Sequence, residues 1–126
     1  NPAADAYETV AFDCEGSGGP LISTGFVTMG DLDADRRNDV IVRYSSAGCT
    51  DLASYYCGTA GCPVEIWLAR PDDSFVQVFA GYAQDVRPVA PDQLDFSFHG
   101  GACGLSGAEA CGAQARVTGG SLLQLE

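Results

Sequence analysis

Four aspartates, Asp31, Asp33, Asp35 and Asp39, occupy positions one, three, five and nine of a short stretch that runs into the β-branched residues Val40, Ile41 and Val42. Carboxylates crowded this closely repel one another unless something cancels their charge. Side chains at alternate positions of a tight loop converge on one point. Several carboxylate oxygens meeting there suit a hard cation that takes about six to eight oxygen ligands, of which Ca2+ is the usual one. An EF-hand does not fit, because its last loop position needs a bidentate acid and Val42 stands there. A solvated, metal-free turn whose aspartates cap backbone N–H groups is the competing reading. Nothing adjacent offers a nucleophile or a base, so a bound ion would be structural.

The stretch from Gly30 through Asp31, Asp33 and Asp35 to Asp39 and Val42 resembles the calcium loop of FG-GAP (VCBS-type) repeats. Those loops have the pattern D-x-D-x-D-x-x-x-D followed by apolar residues, and Phe26 and Gly30 fall where such repeats place an aromatic residue and a glycine. The resemblance implies side-chain ligation by Asp31, Asp33, Asp35 and Asp39, a backbone carbonyl from Arg37, and water. It occurs once and covers about 20 residues, so it carries the loop and not the propeller, which needs several four-stranded blades. Arg36 replaces the glycine usual at the sixth loop position. A non-glycine residue at positive φ is costly, which implies weaker affinity or an altered geometry.

Other residues capable of chemistry are fewer. His99 is the only histidine, with Ser97, Asp85, Asp92 and Asp95 upstream. A Ser-His-Asp set could be drawn from these, but triads are recognised by geometry and not by proximity in sequence. Neither a Gly-x-Ser-x-Gly elbow nor a His-Glu-x-x-His motif occurs. A glycosidase-type carboxylate pair among the 17 acids would need a groove of defined width. Tyr55 and Tyr56, adjacent in a cysteine-anchored loop, form a candidate interaction surface of the amphipathic kind enriched at interfaces. The alternative is that one tyrosine packs over a sheet while the other is merely exposed.

Composition limits the partners. The chain has 126 residues, 46% of them hydrophobic, with a mean hydropathy of +0.04, which describes a folded globular domain. Seventeen acids face six arginines and no lysine, giving a net charge of −11 and a pI near 4.1. Nucleic acids and anionic membrane surfaces need basic patches and are disfavoured. A cationic partner or a saline environment fits, as does acidity that serves only solubility. No apolar run approaches the roughly 20 residues of a membrane span, and no charged segment leads into an apolar signal-peptide core. Residues 1–5 read as a frayed terminus.

Six cysteines, Cys14, Cys49, Cys57, Cys62, Cys103 and Cys111, fit disulfides better than zinc, whose ligand spacing and histidine partners are missing. Disulfides predict an extracytoplasmic location, periplasmic or secreted. Cys103 is expected to pair with Cys111 across a Gly- and Ala-rich loop. The other four would form two bridges tying the N-terminal segment to the loop 49–62, with Cys14–Cys49 and Cys57–Cys62 as one option.

The elements that must position these residues read as β-strands. Residues 7–12 form a plausible first strand, and 16–20 a flexible loop. Residues 26–29 lead into the aspartates. Residues 40–44 alternate, with Val40, Val42 and Tyr44 on one side and Ile41 and Arg43 on the other. Residues 45–62 are a long loop. Residues 64–69 and 75–80 form a hairpin around Pro71 and Asp72. Its strands set Val64, Ile66 and Leu68 against Trp67, and Phe75 and Phe79 against Val76 and Val78, which predicts central strands covered on both faces. Residues 94–99 alternate with Leu94, Phe96 and Phe98 inward, and 115–118 pairs with 122–125 around Gly119 and Gly120. No segment shows a long helical period.

The expected fold is mainly β: a single antiparallel sandwich or rolled sheet over residues 1–126, with long disulfide-stapled loops and a calcium loop at 30–42. The expected function is a non-enzymatic, extracytoplasmic, Ca2+-stabilised binding module. Its partner would be a cationic protein, such as a basic hydrolase that it inhibits, or a cell-envelope polymer. The alternatives are a small secreted hydrolase using His99 and nearby acids, and a structural accessory domain.

Overall fold

The computed structural model describes residues 1–100 and 110–125. Helix α1 (Pro2–Asp13) opens the chain, followed by β1 (Pro20–Ile22), β2 (Val27–Gly30), β3 (Asp39–Arg43), β4 (Ala47–Cys49) and β5 (Cys62–Ala69). Then come β6 (Phe75–Ala83), β7 (Asp85–Ala90), β8 (Gln93–His99), β9 (Ala110–Thr118) and β10 (Ser121–Leu125). Two four-stranded antiparallel sheets, ordered β2-β3-β5-β6 and β10-β9-β8-β7, enclose the main core, and β1 pairs with β4 as a separate ribbon.

Strand β3 explains the layering. Its residues alternate, and both faces are buried. Ile41 joins Ile66, Leu68, Val86, Leu94, Phe96 and Val117 between the sheets. Val40, Val42 and Tyr44 face the other way, onto Ala6, Val10, Phe26 and the Cys14–Cys49 bridge. The chain is therefore mainly β, with one helix covering the outer face of the first sheet.

That helix corrects the strand expected at residues 7–12 and the frayed terminus expected at 1–5. The Asn1 side chain accepts the N–H groups of Ala3 (2.8 Å) and Ala4 (3.3 Å), and Pro2 occupies the first helical turn, where its missing N–H costs nothing. The buried face is made of Pro2, Ala6 and Val10, one per turn. These residues are small, so their helical period is faint in the sequence although it is real in the packing.

The hairpin β5–β6 forms as expected, but only β5 is central and β6 is an edge strand. A bulge also breaks its alternation. Ile66 pairs with Phe79 while Trp67 pairs with Gln77, leaving Val78 as the extra residue. Val78 and Phe79 consequently both pack against the inter-sheet core, while Phe75 packs on the helix side. Trp67 is half-buried on that same side and its indole N–H donates to Glu65 Oε1 at 2.9 Å.

The loop expected at 45–62 contains β4 and is held at both ends. Cys14–Cys49 ties the end of α1 to β4, and Cys57–Cys62 closes the turn before β5. The Cys103–Cys111 pairing lies outside the described residues. Gly48 is required within β4, because a Cβ there would sit 2.0 Å from the Ala53 carbonyl oxygen.

The bridges differ in reach, spanning 35 and 5 residues. On loop-closure entropy, removing Cys14–Cys49 by double serine substitution should cost about 3–4 kcal/mol, against about 2 kcal/mol for Cys57–Cys62. Urea unfolding of the two variants checks the order.

Candidate metal centre

The acidic loop connects β2 to β3, whose last pair is Gly30 with Asp39. Its position is fixed from inside. Leu32 is 5% exposed and joins the core between the sheets. Asp39 is fully buried. Its Oδ2 accepts the Leu32 N–H at 2.7 Å and its Oδ1 accepts the Ala69 N–H at 2.8 Å, tying the loop to the end of β5.

The exposed half of the loop winds around Asp31. Its Oδ1 accepts the N–H groups of Asp33 and Asp35, each at 3.2 Å, and its Oδ2 accepts that of Arg36 at 2.7 Å. Asp35 Oδ1 accepts the Arg37 N–H at 2.9 Å, and the Arg37 guanidinium lies 3.7 Å from Asp35 Oδ2. Two residues are left-handed, Ala34 at φ +61° and Arg36 at +68°. These bends fold the chain so that one carboxylate oxygen from each of Asp31, Asp33, Asp35 and Asp39 lies within 4.8 Å of the others. Asp33 Oδ1 is buried and has no hydrogen-bond partner.

Charge crowding shows in the acidities. Burial pushes the Asp33 carboxyl up to about 7, helped by Asp35, Asp39 and Asp31 around it. Burial also raises Asp39, against the two N–H groups that favour its ionised form. For Asp31, desolvation pushes upward but the N–H groups of Arg36 and Asp33 outweigh it, and its carboxyl is lowered. Without a cation the crowding thus favours protonation within the cluster, most of all at Asp33.

Elsewhere, the expected hydrolase residues lie on and beside β8, where Asp85 is the cross-strand neighbour of Ser97. His99 ends β8, opposite Ala110, and Ser97 pairs with Gly112. Asp85, Asp92 and Asp95 each lie near an arginine: Arg43 at 3.9 Å, Arg116 at 3.6 Å and Arg87 at 3.9 Å. Tyr56 packs on Tyr44, and its hydroxyl donates to Asp13 at 2.6 Å, so burial and that carboxylate hold the phenol protonated. Tyr55 stacks edge-on against Tyr56 and is 43% exposed. A cavity of about 490 Å³ opens beside Phe79, Phe96, Phe98 and Leu122, and among the described residues no titratable side chain lines it.

Two features were not anticipated from the sequence: Leu32 as an anchor, and the reach of Asp39 to Ala69. An apolar residue inside an acidic loop is the one signal that pointed to the first. No family model, curated protein or solved structure matches the chain.

Two substitutions separate the roles of the aspartates. Asp39→Ala strands two buried N–H groups, so it should cost about 2–4 kcal/mol by denaturant unfolding even in chelator. Asp33 has a folded pKa above its unfolded value, so its contribution is complete below pH 3.8 and is lost as pH rises through about 7. In chelator, Asp33→Asn should therefore flatten the fall in melting temperature between pH 4 and 7 and melt higher than the parent at pH 7.

Proposed function

We propose that residues 30–42 hold a Ca2+ ion and that the protein is a non-enzymatic, extracytoplasmic binding module stabilised by it. The observation that carries this reading is the convergence of four carboxylates around Asp33 Oδ1, a buried oxygen with no donor. A buried acceptor without a donor costs free energy that a cation would return. Oxygen-only ligands select a hard ion, and a loop of flexible carboxylates suits Ca2+ better than the stricter octahedron of Mg2+.

Asp31, Asp33, Asp35 and Asp39 would supply side-chain oxygens, with the Arg37 carbonyl and water completing the shell. The N–H bonds of Asp39 do not disqualify it, since each carboxylate oxygen has a second lone pair. The left-handed Arg36 also favours this reading. The backbone takes up the bend for which glycine is usual in such loops, with the Asp31 carboxylate bracing it through the Arg36 N–H.

Location and partner follow from chemistry. Two disulfides suit an oxidising compartment. Among the described residues, no helix is long and apolar enough to cross a membrane. A net charge of −11 supports a cationic partner, a basic hydrolase or envelope polymer among them, through long-range attraction.

Ca2+ at a hundred times its Kd should raise the melting temperature by about 10 °C, because a ligand that binds only the folded state stabilises it by mass action. EDTA should reverse the rise, and Asp33→Ala should abolish it. Superimposable melting curves with Ca2+ and with EDTA would refute the metal assignment.

A further inference from the structure

Helix α1 buries Pro2, Ala6 and Val10 against the first sheet. On the opposite side, Asp5, Glu8 and Phe12 follow at spacings of three and four, which places them on one outward stripe. Glu15 continues the stripe just past the C-cap, Cys14. All four are exposed, and Phe12 keeps 74% of its surface in water. A phenyl ring so exposed forfeits most of the gain that burial would bring. Tyr7, on the same helix, is 46% exposed.

The ring's carboxylate neighbours Glu8 and Glu15 have no basic side chain of the described residues beside them, and the one cation on the helix, the amine of Asn1, lies 3.8 Å from Asp5 at its far end. Residues 1–35 contain no lysine, arginine or histidine. Among the described residues, no arginine pairs with Glu8 or Glu15. The last turn of α1 carries no basic residue, although carboxylates at a helix C-terminus oppose its dipole. The fold thus offers an aromatic ring flanked by Glu8 and Glu15, two carboxylates that no basic side chain of the described residues answers.

We propose that this stripe docks an arginine-bearing basic segment of a partner protein, with a guanidinium lying on the Phe12 ring and pairing with Glu8 or Glu15. Arginine fits because its planar cation stacks on an aromatic face and binds a carboxylate at the same time. A second copy of this chain would bring the same negative stripe and be repelled. Nucleic acid and anionic lipid are repelled for the same reason. The proposal deepens the interaction reading above by naming its surface and partner chemistry, and it needs no bound metal.

The test is titration of nona-arginine and nona-lysine peptides into the isotope-labelled, disulfide-intact protein at low salt, followed by amide NMR, once with Ca2+ and once with EDTA. Shifts should concentrate at residues 5–15, with arginine binding tighter than lysine. Phe12→Ala should weaken binding about threefold, and the triple variant Phe12→Ala, Glu8→Gln, Glu15→Gln about tenfold, at unchanged melting temperature. Shifts spread over the acidic surface or centred on residues 31–39 would overturn the proposal, as would variants that bind like the parent. Mapping to α1 in both buffers while Ca2+ fails to shift melting would remove the metal and leave the docking surface standing.

Discussion

A carboxylate taken entirely out of water must find a donor for its oxygens or give up its charge. Asp39 meets that requirement with two backbone N–H groups from different parts of the chain. One belongs to Leu32 at the start of the acidic loop, and the other to Ala69 at the end of β5. The same side chain therefore closes the loop, begins β3 and joins both to the next strand. Asp31, Asp33 and Asp35 can gather only because this anchor, with Leu32 plugged into the core, fixes where the loop starts and stops. The loop's capacity for a cation rests on a bond that would exist without one.

Strand β3 extends that constraint to the whole molecule. Its alternation divides apolar side chains between two cores, so the first sheet must be covered on both sides. The second sheet covers one. Across that interface Arg43, from β3, donates to the Val86 carbonyl at 2.8 Å and lies near Asp85. Helix α1 covers the other, held there by the bridge from Cys14 to Cys49. The helix presents small residues inward, which lets its backbone approach the sheet closely, and leaves its large and acidic residues outside.

Charge is distributed in step with this layering. Two of the six arginines, Arg36 and Arg37, lie in the acidic loop and the other four follow it in sequence, and those on β3, β7 and β9 answer aspartates of the second sheet or its turns. The helical layer receives none. An acidic protein can be soluble with its charges scattered, but here one face sets the exposed Phe12 ring beside Glu8 and Glu15, which no arginine of the described residues answers. That segregation is what the composition alone does not show.

Side-chain alternation made the strands at residues 40–44 and 94–99 legible, because period two follows from local backbone geometry, and turn residues marked the hairpins at 64–80 and 115–125. The spacing of Asp31, Asp33, Asp35 and Asp39 likewise made their convergence legible, although the anchor that holds them together is tertiary. Helix α1 was not legible, because alanine and proline carry little hydrophobic contrast and its stability comes from the sheet beneath and the Asn1 cap. The bulge at Val78 and the edge position of β6 depend on which strand lies alongside. Asp39's hold on Ala69 links residues 30 apart, and the choice of Cys49 for Cys14 follows from where α1 lies. Local periodicity and spacing belonged to the sequence, while pairing, burial and the separation of charge belonged to the tertiary structure, since each requires two distant segments to share one space.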